Sequence, residues 1–497
     1  MTHELIAAVD LGSNSFRLII GRVEGDQIFA QDNLKEAVRL AAGLSPERSL
    51  GQVAQARGLV ALRKFGERLR GFEPGQVRAV ATNTLRVARN AGDFLAHAER
   101  ALGFPIEVVA GREEARLIYL GVVQALSDPS GQQLVFDIGG GSTEFVIGRG
   151  FEPIALESLY MGCVSYSLRF FPDGFVDKQS LREAELAAQR ELDTIVSSYR
   201  RLGWDLAFAS SGTAKAITDI LELNGFSAGG ITRSGMNKLR QALIRAGNVS
   251  RLDLAGIRSD RLPVLAGGFA ILSAIMTALS LDEISFSETA LREGVLHDLL
   301  GRHAHRDLRD ATVESFMRRY QVDMAQAERV AETAGALLNL ARPGDEDGKR
   351  FLGWAARLHE LGMSVARSGY HRHSTYILAN ADMPGFSRQE QNRLASLVLG
   401  HRGKLERVRQ QFALAEDDWL LILCLRLAVI LHRSRDEGEV VPLVLSAERG
   451  GFIVEVGRDS LRDRPLTAAL LEEEEAQWEA IAISLQLKVE GALALEE

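Results

Sequence analysis

One internal repeat constrains this chain more than any other feature. Residues Val9 to Gly21 read VDLGSNSFRLIIG, and residues Phe136 to Gly148 read FDIGGGSTEFVIG. The two segments align without a gap, so that Asp10 matches Asp137, Gly12 matches Gly139, Ser15 matches Ser142 and Gly21 matches Gly148. Each reads as an apolar strand ending in Asp, a Gly/Ser turn, and a second apolar strand. Two such hairpins about 130 residues apart predict a duplicated α/β unit with a cleft between the halves.

The text between and after the repeats agrees. Short β-type runs such as VRAVATNT and PIEVVAG alternate with helical stretches through the first 300 residues, which argues for α/β architecture. From about Asp307 helical periodicity dominates through Ile430, and a short tail follows with two strands, VPLVLSAE and GFIVEVG, and a helix around Leu466 to Ile483. Linkers are expected near Asp128–Gly131, Gly301–Asp307 and Asp436–Glu439. These give four segments: 1–129, 130–303, 304–436 and 437–497.

Composition limits the partners. The 497 residues carry a net charge of −8, without the basic excess of a duplex-DNA binder, so no nucleic-acid partner is expected. Local basic clusters still allow a polyanionic substrate. Two cysteines, Cys163 and Cys424, exclude a disulfide framework and a Cys-based zinc site. The opening MTHELIAAVDLGSNS lacks the basic and apolar regions of a secretory signal. A reduced cytoplasmic location is expected, with peripheral membrane association compatible. Leu262 to Leu281 is free of charge for 20 residues, but its prolines and glycines predict a buried core helix rather than a membrane span.

The turns of the repeat suggest a chemistry. Gly/Ser turns between strands present backbone N–H groups and hydroxyls to an anion, and an Asp at each strand end can hold a cation beside it. Gly12, Ser13, Asn14 and Ser15 in one copy, and Gly139, Gly140, Gly141, Ser142 and Thr143 in the other, are the candidate phosphate grips. The copies differ in one place: Arg17 stands where Glu144 stands, and Asp137 with Glu144 is the candidate metal pair. Ser210, Ser211, Gly212 and Thr213 form a further Gly/Ser turn before a helix, and Arg86 follows the strand VRAVAT as a candidate phosphate fork. Glu113 and Glu114 open a helix after Gly111; either could orient an attacking water, and spacing does not choose between them. Cys163 reads as a small buried side chain rather than a nucleophile.

Taken together, DLGSNSFRLIIGR (10–22), ATNTLR (81–86), GREEARLIYLG (111–121), DIGGGSTEFVIG (137–148), MGCVS (161–165), ASSGT (209–213), ALREGVL (290–296) and HRHSTYILANADMPGF (371–386) resemble the exopolyphosphatase/guanosine pentaphosphate phosphohydrolase family. The resemblance covers essentially the whole chain. It implies two actin-like (ribonuclease H-like) α/β domains, an all-α HD-like domain and a small α+β C-terminal domain. It implies Mg²⁺-dependent hydrolysis of a terminal phosphoanhydride, with a monovalent cation such as K⁺ as a stimulant and a homodimer as the assembly. By motif match it makes Glu114 the base, Asp137 and Glu144 the Mg²⁺-side residues, and Arg86 a phosphate ligand.

Two details of the resemblance favour inorganic polyphosphate over hydrolysis of pppGpp to ppGpp. Gly141 stands where the sister branch often has Ala. His371, Arg372 and His373, with Arg402, resemble a basic stretch that lines a polyphosphate channel, although the HD pair reads His359-Glu360. A non-catalytic actin-like nucleotide sensor is the contrasting reading, and retention of Glu114, Asp137, Glu144 and Arg86 together counts against it.

Overall fold

The structure is a computed structural model describing residues 5–25, 27–126, 128–303, 307–435, 440–448, 450–462 and 464–490. The expected linker Asp436–Glu439, and residues 304–306 of the linker expected at Gly301–Asp307, lie outside the described residues. The chain divides into two compact units, Met1–Asp307 and Leu308–Glu497.

The first unit is built on the repeat. Strands β1 (Leu5–Leu11), β2 (Phe16–Glu24), β3 (Gln27–Glu36), β4 (Val77–Ala81) and β5 (Ile106–Val108) form a sheet in the order β3-β2-β1-β4-β5. Strands β6 (Gln132–Ile138), β7 (Thr143–Arg149), β8 (Glu152–Leu159), β9 (Leu206–Ser210), β10 (Ile231–Thr232) and β11 (Glu283–Phe286) form the second, in the order β10-β11-β9-β6-β7-β8. Read outward from β1 and from β6, the two sheets share one plan. Each repeat strand has an antiparallel hairpin partner on one side and a parallel strand on the other, β4 beside β1 and β9 beside β6.

Alternation along the strands sets the layers. Ala7, Val9 and Leu11 of β1 enter one core, while Ile6 and Ala8 enter another that also holds Val135 of β6 and Val146 of β7. That shared core lies between the sheets and contains the helices Gly111–Val123 and Leu291–His303. A Cβ on Gly121 would lie 1.9 Å from the Ala290 carbonyl oxygen, and one on Gly294 would lie 1.7 Å from that of Leu117. The two helices therefore meet backbone to backbone, an approach that a side chain at either position would block. The uncharged run falls mostly in the buried helix Leu265–Ala278, and no helix of the described residues is long and apolar enough to cross a membrane.

The second unit packs seven α-helices, from Leu308–Arg319 to Asp418–Leu431, with a three-stranded sheet. Strands β12 (Leu443–Glu448) and β13 (Gly451–Gly457) match the two strands read from the sequence. The third, β14 (Ser484–Glu490), follows the helix Pro465–Glu479 and pairs parallel to β13. Leu352, Leu423, Val454 and Trp478 belong to one continuous core, so the helices and the sheet of this unit share an interior.

Candidate active site

The strand register places the repeat's polar residues. Asp10 of β1 lies opposite Arg17 of β2, and Asp137 of β6 lies opposite Glu144 of β7. Directly opposed residues on antiparallel strands have Cβ atoms about 5 Å apart, so each Asp is held beside the residue that distinguishes its copy. The two turns meet: a Cβ on Gly140 would fall 2.9 Å from Ser13 Cβ, and one on Gly141 would fall 2.4 Å from Asn83 Oδ1. Thr84 Oγ1 is hydrogen-bonded to Ser13 Oγ at 2.8 Å, and Ser210 donates to Asp137 Oδ2 at 2.6 Å.

A cavity of 490 Å³ opens between the turns, lined by Gly12, Ser13, Asn14, Ser15, Gly139, Gly140 and Ser142. Asp10, Asp137 and Glu114 line it as well. Glu144 and Arg86 lie behind its wall, since Glu144 is 1% exposed and accepts from Ser158 Oγ at 2.8 Å. Gly141 and Thr143 are not on the cavity wall. Thr143, expected as a phosphate grip, donates its hydroxyl to the Met161 carbonyl at 2.6 Å and is fully buried. Gly141 makes room for Asn83 instead.

The helix Gly111–Val123 separates its two glutamates. Glu113 accepts two hydrogen bonds from Arg116, one turn along, at 2.8 Å each. Its carboxylate is spent in the core. Glu114 lines the cavity and pairs with Arg86 Nη1 at 2.9 Å, and that guanidinium also donates to the Val109 carbonyl at 3.0 Å. Arg86, expected to fork onto phosphate, is thus engaged by Glu114 and would have to divide itself between that carboxylate and an anion.

Four carboxyl groups are concentrated here, and all are pushed toward the protonated form. Burial lifts Asp10 to about 7, against a partial counter-effect of Arg292 and Arg17. Burial lifts Asp137 to about 6. Burial likewise raises Glu114, and raises Glu144 well above the ordinary range with the Glu114 charge adding to it. Asp10 Oδ1 is buried without a hydrogen-bond partner. An excess of buried carboxylate with an orphaned oxygen is the environment that a divalent cation relieves. Among the described residues no group of three His, Cys, Asp or Glu could hold a metal ion unaided. Magnesium is commonly completed by water and phosphate oxygens, which suits a site of this kind.

Cations stand among these acids, with Arg17 of β2 opposed to Asp10 and Lys35 of β3 opposed to Arg17. Arg17, Lys35, Lys215, Arg258, Arg261 and Arg292 line the same cavity. Lys35, Arg258 and Arg261 share a single carboxylate, Asp260, at 2.9, 3.3 and 3.8 Å, so this corner keeps a positive excess. Arg292 donates to Asn33 at 3.0 Å. Burial lowers the pKa of Arg17, and the neighbouring Arg292 charge adds to that effect. The third Gly/Ser turn also reaches the cavity: Ser211, at φ 92°, and Gly212 line it, and a Cβ on Gly212 would collide with the Arg261 guanidinium at 2.2 Å. Of these cations the sequence reading singled out only Arg17. Arg292 lies in the quoted ALREGVL and Lys215 two residues past the ASSGT turn, while Lys35, Arg258 and Arg261 come from stretches with no motif.

In the second unit, His371, Arg372 and His373 begin the helix Tyr370–Asn380. They do not share one face: His371 is buried while Arg372 is exposed. Burial, then the Arg372 charge, pushes His371 down to about 4, so it carries no positive charge near neutral pH. Arg402 is exposed and lies over the Tyr370 ring, 5.4 Å from its centroid. His359 and His401 stack edge to face at 5.1 Å, each with Nδ1 bonded to a backbone carbonyl. Glu360 lies 3.8 Å from His359 Nε2 and is paired with Arg435.

The duplicated sheets, the paired Gly/Ser turns and the cavity lined by both carboxylates and cations define an actin-like phosphohydrolase. Comparison with known proteins gives the particular family. The model of the Ppx/GppA phosphatase family matches residues 19–303, and that of Ppx/GppA phosphatase domain III matches residues 308–475. The chain is 38% identical over 474 residues to a guanosine-5'-triphosphate,3'-diphosphate pyrophosphatase of Aeromonas hydrophila, covering 94% of this chain and 95% of that one. The crystal structure of the Aquifex aeolicus Ppx/GppA family member matches at 25% identity and a TM-score of 0.50, covering 61% of this chain and 99% of that one. An exopolyphosphatase from Cytophaga hutchinsonii matches in fold at 24% identity and a TM-score of 0.55, covering 60% and 98%. The chain belongs to the Ppx/GppA phosphatase family, hydrolases that act on phosphoanhydride bonds.

Proposed function

We propose that this chain releases orthophosphate from the end of linear inorganic polyphosphate. The observation that carries this reading is the set of six cationic side chains that line the same cavity as the acidic residues Asp10, Glu114 and Asp137. Repeated Arg and Lys contacts suit a ligand that carries a charge on every unit. The turns at Gly12–Ser15 and Gly139–Ser142 would hold the terminal phosphoryl group with backbone N–H groups and hydroxyls. Glu114 would accept the proton of a water attacking that phosphorus in line. Arg86, released in part from Glu114, would offset the charge that develops on the phosphoryl oxygens. Asp137 and Asp10, which line the cavity, would hold Mg²⁺, with Glu144 behind them contributing through bound water, and the ion when bound supplies charge neutralisation at the phosphate oxygens. Of the basic residues expected to hold a distant part of the substrate, Arg372 and Arg402 are exposed.

A second reading, hydrolysis of pppGpp to ppGpp, is favoured by the printed function of the Aeromonas relative. Parallel assays of long-chain polyphosphate and of pppGpp with Mg²⁺ decide between them. Phosphate release from polyphosphate at a comparable or higher kcat/KM is expected; a preference for pppGpp of 100-fold or more would reverse the order.

Cation binding should also be visible without turnover. Asp10 and Asp137 favour their protonated forms in the fold, so the folded state loses stability as pH rises from the ordinary carboxylate range up to about 7 and about 6, respectively. A divalent cation competes with those protons and removes that loss. The rise in Tm on adding Mg²⁺ should therefore be small at pH 5 and grow through pH 7, reaching the equivalent of about 3 kcal/mol at a hundredfold excess over Kd. Thermal melts with and without Mg²⁺ across that range test this; a shift independent of pH would remove these carboxylates from the cation site.

A further inference from the structure

Among the described residues, two of the buried side-chain polar atoms without a hydrogen-bond partner belong to residues that line the phosphate cleft: Asp10 Oδ1 and Asn83 Nδ2. They are opposite in kind. The Asp10 oxygen is an acceptor, which a cation relieves. The Asn83 nitrogen is a donor, and a cation does nothing for it. Asn83 is 7% exposed, and a buried donor left without an acceptor is costly to a fold. The next residue does not share the defect, since the Thr84 hydroxyl is bonded to Ser13 Oγ at 2.8 Å. In a cleft that six cations line, the acceptor selected for is the oxygen of an anion.

The second turn of the repeat leaves space for this amide. The three atoms nearest to a Cβ placed on Gly141 all belong to Asn83, with Cγ at 3.2 Å. Behind the same turn stands Gly162, where a Cβ would run into the backbone of Gly140 and Gly141. The turn is therefore held between Asn83 and Gly162 and has no room to retreat. A methyl group at position 141 would be accommodated by displacing the Asn83 amide, the movable end of a side chain. Gly141 is not on the cavity wall, so its lack of a side chain serves Asn83 rather than a ligand directly.

We propose that Asn83 is a phosphate-binding residue of the clamp, its amide donating to an oxygen of the phosphoryl group seated at the Gly139–Ser142 turn, and that Gly141 is required because it leaves that amide in place. A small rotation about the last side-chain torsion, which is broad for an amide, brings Nδ2 to that oxygen. The inference rests on the phosphohydrolase reading of the cleft and adds a residue to its site. Asn83→Ala, Gly141→Ala and the double variant should be assayed with Mg²⁺ on long-chain polyphosphate and on pppGpp, and melted without ligand. Asn83→Ala should lose about ten- to a hundredfold in kcat/KM on whichever substrate the unsubstituted chain turns over, the range for a hydrogen bond to a charged group. Because the amide is unsatisfied in the fold, its removal should leave Tm unchanged or raise it, which the loss of a structural contact would not do. Gly141→Ala should show a similar loss of activity, and the double variant no more than the larger of the two. A kcat/KM within twofold of the unsubstituted chain in Asn83→Ala, a loss accompanied by a fall in Tm, or losses that multiply in the double variant would each overturn the proposal. If the unsubstituted chain turns over neither substrate, the phosphohydrolase reading fails, and calorimetric binding of inorganic tripolyphosphate decides Asn83 by itself: weakening of tenfold or more in Asn83→Ala supports the contact, and equal or absent binding overturns it.

Discussion

Replacing Glu114 by glutamine should lower kcat about 10²–10⁴-fold, the range that a general base contributes. Glutamine keeps the volume and can still receive a hydrogen bond from Arg86, but it cannot take a proton from water. The loss should fall on kcat rather than KM, because removing a negative charge from a cluster that also holds Asp10, Asp137 and Glu144 makes the cleft less hostile to an anion. The Glu114 charge contributes to the raised pKa values of those three groups, so the variant should also shift the acidic limb of the surviving pH profile downward. Glu113→Gln is the matching control. Glu113 is bound to Arg116 away from the cavity, so its loss should appear in stability and not in the pH profile. Steady-state kinetics from pH 5 to 9 on the two variants separate these outcomes, and an unchanged kcat in Glu114→Gln would remove it from the base role.

How far such a site could be read beforehand depended on whether its residues are neighbours in sequence. The repeat was legible because both turns are contiguous, and strand alternation converts a gapless alignment into the opposition of Asp10 to Arg17 and of Asp137 to Glu144. Glu113 and Glu114 could not be ranked from spacing, although Arg116 offers a clue, since residues three apart on a helix face each other. The cationic lining was invisible for a different reason: Lys35, Lys215, Arg258 and Arg292 come from separate elements and converge only through the tertiary fold. The HRH triplet shows the converse error. Consecutive helical residues point about 100° apart, so three adjacent basic residues cannot all line one path. The missed strand Ser484–Glu490 carries the alternating apolar residues Leu485, Leu487 and Val489, a period-2 signal hidden by the helix expected to run through Ile483.

The largest stability effect should come from Asp298, in the helix Leu291–His303. Its carboxylate receives Arg116 Nη2 and Arg78 Nη1 at 2.5 Å each and Arg302 Nε at 3.2 Å. Glu107 and Glu113 complete the set, so three cations face three acids with Asp298 at the centre. Burial by itself would raise the Asp298 pKa, but Arg116, then Arg78 and Arg302, outweigh it and hold the group well below the usual range. Its ionised form is thus favoured by folding, and that contribution is present above about pH 4 and lost as pH falls below it. Asp298→Ala would leave a net positive charge among side chains that are 2% and 9% exposed. Removing one partner from a buried ion network costs about 3–5 kcal/mol. The damage should also reach the site, because Arg116 and Glu113 flank Glu114 on the helix that Asp298 anchors. Guanidinium unfolding of the variant should show the full loss at pH 7. At pH 3, where the wild-type carboxylate begins to lose its own advantage, the gap between the two proteins should narrow. A loss below about 1 kcal/mol at pH 7 would mean that Glu107 and Glu113 suffice for the three arginines, and that the crossing of the two helices at Gly121 and Gly294 alone fixes Glu114 in place.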